Sequence, residues 1–223
     1  LNSQFNTRKQ MVLKTMHAYL SHSGHLYDTD CFSLFGTNSF HLVWEKVCAD
    51  IMNNQLDVPL GAIPLPVPLK PEYDRKQKLI DLIEKPLWTA SGKTAKDTLI
   101  PDLVTIAKAG HEYQFIIFDA KYYNVQLEFG VSPKGQPGIE SITKQYLYQL
   151  AYQRFIFDHG FTSVKNCFLL PTENNEIEKR GEASMTMLSA LGLQNIQVRF
   201  LPTRMVYDLY LSGKTMNLDL LDL

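Results

Sequence analysis

Three kinds of feature are missing from this 223-residue sequence. It has no CxxC pair. Its three cysteines, Cys31, Cys48 and Cys167, are isolated and odd in number, which excludes a disulfide framework and a cysteine-based zinc site. Free thiols of this kind suit a reducing cytoplasm, the expected location. Charge of one sign is not in excess: 22 lysines and arginines face 23 acidic residues, for a net charge of -1. That balance argues against a general electrostatic binder of polyanions, although a local basic groove is compatible with it. No apolar run approaches the ~20 residues of a membrane helix, and no signal-peptide pattern occurs, so no membrane association is expected. The chain opens with Leu1 rather than Met, which leads us to expect a piece of a longer protein.

What is present is enough apolar material for one substantial core, 45% of residues. A short helix is predicted over Lys9 to Leu20. Phe40, Val43, Trp44, Val47, Cys48 and Ile51 then fall on one helical stripe, behind the cap candidates Thr37, Asn38 and Ser39. Residues 58–71 hold Pro59, Pro64, Pro66, Pro68 and Pro71 and read as an extended connector. Strands are predicted at 87–89, 103–106 and 115–118, the last an apolar run suited to burial on both faces. A Gly-Pro-rich loop at 130–138 precedes a long helix ending near Gly160. Further strands are expected at 164–170 and 196–201, with helical segments near 182–191 and 203–211. The order indicates an α/β domain around a mixed central sheet flanked by helices. We expect a helical N-terminal extension at 1–34 and the main domain at 35–223.

The chemistry lies at two strand ends. Ile100-Pro101-Asp102 leads into one strand, and Phe118-Asp119-Ala120-Lys121 ends the next. Alternation puts Asp119 and Lys121 on the same face of their strand. Charged groups meeting at the ends of core strands are unfavourable to bury without a partner. A divalent cation is the natural one, since two carboxylates, a backbone carbonyl and waters form a hard oxygen site suited to Mg²⁺. The bland alternative is a simple Asp119–Lys121 salt bridge. The preceding Pro101 and the 16 residues between the two aspartates favour the metal reading.

This pattern resembles the PD-(D/E)xK nuclease superfamily. The resemblance implies that Asp102, Asp119 and the carbonyl of Ala120 bind metal, Mg²⁺ with Mn²⁺ as a substitute, while Lys121 assists the nucleophile. The stretch from Phe35 to Cys48, then Asp119-Ala120-Lys121-Tyr122-Tyr123, then 138–149 with Lys144-Gln145, narrows the likeness to LlaJI-type restriction endonucleases. That group is similar to the nuclease subunits of McrBC-like systems. The resemblance implies a metal-dependent endonuclease acting on double-stranded DNA, partnered by a separate McrB-like nucleotide-hydrolysing motor. Repair or recombination nucleases, and a non-cleaving scaffold on the same fold, are the rival roles.

Glu45 is where many such nucleases place an extra acidic ligand. Helical geometry, however, turns it about 130° from the centre of the apolar stripe, so solvation is the competing expectation. On the long helix, Lys144, Gln145, Tyr148, Gln149 and Tyr152 form a polar face suited to one wall of a DNA cleft or to plain solvent exposure. Gln145 is the superfamily's expected support for the lysine, with Gln149 second. Lys93, Lys96, Lys134 and Lys144 are candidate phosphate contacts. Ser91-Gly92-Lys93-Thr94 mimics the end of a P-loop, but Leu87 stands where the first glycine is required. His17, His22 and His25 lack the companion ligands of a zinc site.

Overall fold

A computed structural model describes residues 39–109 and 112–223. The chain divides into two compact units, Leu1–Phe40 and His41–Leu223, and the sheet and its helices belong to the second. The predicted helix at 9–20, the histidines at 17, 22 and 25, Cys31, and the cap candidates Thr37 and Asn38 lie outside the described residues.

Helix α1 (Phe40–Ile51) buries Trp44, Val47, Cys48 and Ile51, the stripe that its sequence spacing dictates. The proline-rich segment is an extended connector interrupted by a single 3₁₀ turn, Leu60–Ala62. It is tied down by side chains. Lys70 and Tyr73 both bond the Asp158 carboxylate, at 2.6 and 2.7 Å. Strands β1 (Leu87–Trp88) and β2 (Lys93–Thr94) then form a separate two-stranded ribbon.

The main sheet has five strands: β3 (Leu103–Ala109), β4 (Glu112–Ala120), β5 (Ser163–Thr172), β6 (Glu178–Ala183) and β7 (Ile196–Pro202). Their spatial order is β3-β4-β5-β7-β6. The β3–β4 and β6–β7 pairs are antiparallel, and the central β4–β5 and β5–β7 pairs are parallel. Helix α2 (Ile139–Asp158) makes the crossover between β4 and β5, as a parallel pair requires. Short α3 (Thr186–Ser189) and α4 (Thr203–Ser212) complete the set.

Period-two alternation sorts the core into layers. Ile116, Phe118 and Ala120 of β4 pack with Trp44, Val47 and Ile51 of α1 and with Val206 of α4. Phe115 and Ile117 point the other way and pack with Tyr148, Tyr152 and Phe155 of α2. Burying each such side chain contributes ~1.5–3 kcal/mol, enough in sum to hold helices on both faces. Asp119 and Lys121 continue the row of Phe115 and Ile117, the face toward α2.

Two expectations require correction. The segment predicted as helix near 182–191 contains one helical turn, Thr186–Ser189, but its first two residues belong to strand β6. The charged sequence of that strand, Glu178-Lys179-Arg180-Gly181-Glu182, lies at the sheet edge, where charges guard against further pairing. A register shift falls between Lys179 and Glu182, and Gly181 there has φ +78°, the left-handed conformation that glycine tolerates in a bulge. The polar face of α2 is also not a solvent-facing wall. Gln145, Tyr148, Gln149 and Tyr152 are buried, with the two glutamines each holding a polar partner in the sheet. Gln145 Nε2 donates to the Ile117 carbonyl at 2.7 Å, and Gln149 Oε1 accepts from Asn166 Nδ2 at 2.7 Å.

Candidate active site

The sheet register explains why the site forms where it does. The β3–β4 ladder ends at Leu103 opposite Phe118. Continued one pair at a time, it would set Asp102 against Asp119 and Pro101 against Ala120. The Ala120 N–H points toward β3 and donates to Asp102 Oδ2 at 2.8 Å. Its carbonyl points to the same side, and Pro101 has no N–H to offer it. The paired ladder thus ends just before the acidic pair.

Lys121 closes the triplet. Its ammonium bonds Asp119 Oδ1 and stands 3.8 Å from Asp102 Oδ2. The Asp119 side chain is 5% exposed, against 19% for Asp102 and 18% for Lys121. The site is thus deep at Asp119 and open at the other two. Burial raises the Asp119 carboxyl well above its usual range, and the neighbouring Asp102 adds to the shift, outweighing the opposing effect of Lys121. The Lys121 ammonium is stabilised by the charges of Asp119 and Asp102 despite its desolvation.

Glu45 is half-buried on the flank of α1. Its carboxyl is raised by burial first and by Asp102 second, while Lys121 and His41 pull it down. It therefore shares the electrostatic field of the triplet rather than facing bulk solvent. Off the centre of the apolar stripe, it is half-buried rather than wholly solvated. Trp44, its neighbour, fixes α1 to the sheet by donating from Nε1 to the Leu169 carbonyl at 3.1 Å. The Lys121 N–H uses that same carbonyl at 3.0 Å.

Gln145 lies fully buried under β4 and is held by Ile117, two residues before Asp119. Its Oε1 has no hydrogen-bond partner among the described residues. No direct contact joins it to Lys121 there. Gln149, the second candidate, is absorbed in structure: Oε1 also accepts the Gln194 N–H at 3.0 Å. Tyr148 was not singled out beyond its helix face. Its hydroxyl donates to the Ile100 carbonyl at 3.0 Å, and burial, Asp119 and Asp102 all raise its proton affinity. Its i, i+3 spacing from Gln145 was the available signal.

Among the described residues, no three carboxylate, imidazole or thiol side chains gather as a ready-made cation site. The donor set nonetheless fits a hard divalent ion. Two adjacent carboxylates and a carbonyl beyond the ladder are oxygen donors of the right class, and the cation now balancing the carboxylates is the Lys121 ammonium. Phosphate and water oxygens complete such a set.

Comparison with known proteins bears on what this geometry is for. The model of the family described as LlaJI restriction endonuclease matches residues 1–66 and 71–201. The chain belongs to the LlaJI restriction endonuclease family. This LlaJI-family chain is 31% identical over 193 residues to the "Type II restriction enzyme BsuMI component YdjA" of Bacillus subtilis (strain 168), covering 84% of this chain and 36% of that protein. The chain thus spans about a third of that relative's length. No solved structure matches it. No helix among the described residues is long and apolar enough to cross a membrane.

Proposed function

We propose that this chain hydrolyses phosphodiester bonds in double-stranded DNA, as the cleaving domain of a restriction system on a PD-(D/E)xK core. The observation that carries the reading is the meeting of Asp102, Asp119 and Lys121 where the β3–β4 ladder ends, in a chain of a restriction endonuclease family. In this reading Asp102, Asp119, the Ala120 carbonyl and Glu45 hold Mg²⁺, or Mn²⁺ in its place. The ion supplies charge neutralisation at the phosphate and eases deprotonation of water.

The chain's own groups do the rest. Lys121, poised between the two carboxylates, turns to the incoming phosphate, donates to a non-bridging oxygen and orients the attacking water. The water oxygen bonds phosphorus as the bridging P–O bond breaks. The proton shed by water passes to a carboxylate or to solvent, and the departing oxygen takes one up. Gln145, anchored through Nε2, keeps Oε1 available beneath the site as a support. Glu45 adds negative charge at the rim, strengthening cation retention.

We further infer that cleavage is licensed by another subunit, an McrB-like nucleotide-hydrolysing motor. The relative's own name calls it a component of a restriction enzyme, and the P-loop-like Ser91-Gly92-Lys93-Thr94 lacks the glycine that a nucleotide site requires.

The test is nicking or linearisation of plasmid DNA with Mg²⁺ or Mn²⁺, alone and with an McrB-like motor protein added, comparing the parent with Asp119→Ala and Lys121→Ala. Activity in the parent and at least about a hundredfold loss in both variants is expected. Full activity in both variants removes the site assignment.

A further inference from the structure

The ribbon of β1 and β2 takes no part in the core. Every residue from Glu84 to Thr94 is exposed, as is Lys96, and Trp88 is 66% exposed. The neighbouring Leu87 is also 63% exposed, so the ribbon displays two large apolar side chains on a structured element. The ribbon is well formed. Leu87 pairs with Thr94 and Trp88 with Lys93. The Ala95 N–H donates to the Pro86 carbonyl at 2.7 Å, and the tip is closed by Ser91 and Gly92 N–H bonds to Trp88 and Thr89. Gly92 has φ +63°, so the Ser91-Gly92-Lys93-Thr94 string that mimics a P-loop is a turn chosen for its backbone.

Residues directly opposite in an antiparallel pair project from the same face. Trp88 and Lys93 therefore stand side by side on one face of the ribbon. Lys85, Lys93 and Lys96 pair with no carboxylate among the described residues. Elsewhere Lys46, Lys70, Lys78, Lys144 and Lys179 are each engaged by one, while Lys76, Lys134 and Lys214 are not, so it is the indole beside the lysines that sets the ribbon apart. Glu84 and Asp97 sit at the root, which leaves the upper ribbon cationic.

Thr98 Oγ1 donates to the Glu84 carbonyl at 2.6 Å and pins the root four residues before Asp102. A chain spans at most ~3.6 Å per residue, so the root lies within about 15 Å of Asp102, less than the width of a DNA duplex. A two-stranded ribbon also fits a DNA groove.

We propose that the β1–β2 ribbon is a duplex-DNA contact beside the cleavage site, with Trp88 against the groove wall and Lys93 and Lys96 on flanking phosphates. The choice of DNA rests on the nuclease reading above, and the unpaired lysines beside an exposed indole are the complementary chemistry.

The test uses the chain's two tryptophans. Trp44 is wholly buried, so acrylamide quenching reports Trp88. In metal-free buffer, where cleavage plays no part, a short fluorescein-labelled duplex is titrated by anisotropy, and quenching is measured with unlabelled duplex of the same sequence. Duplex is expected to shield Trp88. Trp88→Ala weakens binding about fivefold or more, and Lys93→Ala with Lys96→Ala lowers the salt slope by about two, both variants melting with the parent. Binding without shielding, absence of duplex binding, or shielding that grows with protein concentration in the absence of DNA (a second copy as occupant) each overturns the proposal. The nuclease reading is judged separately by the plasmid assay. Cleavage that depends on Lys121 but ignores Trp88, Lys93 and Lys96 removes the ribbon alone, while shielding without cleavage removes the nuclease alone.

Discussion

Asp102 Oδ2 accepts the backbone N–H of Ala120 at 2.8 Å, so the acidic residue leading into β3 holds the end of the strand that carries Asp119 and Lys121. Site and scaffold are one contact. Asp102→Asn keeps an acceptor for Ala120 and loses the charge. Asp102→Ala loses both. Urea unfolding should show Asp102→Asn close to the parent and Asp102→Ala lower by ~1–3 kcal/mol, while plasmid cleavage is lost in both. Equal stability of the two variants would refute the anchoring role.

Asp119 is a buried carboxyl held above its ordinary range. Burial and Asp102 push its carboxyl from 3.8 up to about 8, so the folded state binds more protons than the unfolded one. Its contribution to stability therefore declines as pH rises through that interval. Asp119→Asn removes this decline. Melting temperatures from about pH 4 to about pH 8, the span of that interval, should fall less steeply in the variant, which should not cleave. A steeper fall in the variant would contradict the assignment.

Lys121 is the cation that now offsets two carboxylates. Lys121→Ala leaves them facing each other, and a divalent ion then relieves a larger repulsion. Thermal shift with and without Mg²⁺ should give a larger rise in melting temperature for Lys121→Ala than for the parent. A smaller rise, or none, would count against a cation at Asp102 and Asp119.

The Asp158 carboxylate ties the proline-rich connector to the end of α2 through Lys70 and Tyr73. Those two hydrogen bonds lower it from 3.8 to about 2. A depressed carboxyl stabilises the fold above its unfolded value and loses that effect as pH falls toward the folded one. Asp158→Asn should melt below the parent at neutral pH and be clipped faster within 58–71 by protease. The melting difference should shrink on acidification, and a difference that grows would show that the tie is not ionic.

Much of the fold was legible locally. The apolar stripe of α1, the uniform run Phe115–Phe118, the long helix before Gly160 and the extended proline segment each follow from periodicity or backbone restriction within a few residues. So did the Asp102, Asp119 and Lys121 grouping, because strand alternation and the Pro101-Asp102 step act over neighbouring positions. Strand β6 escaped because a charged segment becomes an edge strand only when β7 offers its backbone. The α2 amides escaped for a related reason: Gln149 is a core residue only because Asn166 and Gln194 meet it there.

By itself, the sequence determined most of the elements and the acidic pair with its lysine at two strand ends, products of local backbone chemistry. Tertiary structure alone decided that Glu45 joins the field of that triplet, that Gln145 lies beneath it, and that Trp88 stands outside the core. Those outcomes depend on how α1 and α2 dock on opposite faces of the sheet, through contacts such as Trp44 to Leu169 between residues far apart in the chain, which no local pattern encodes.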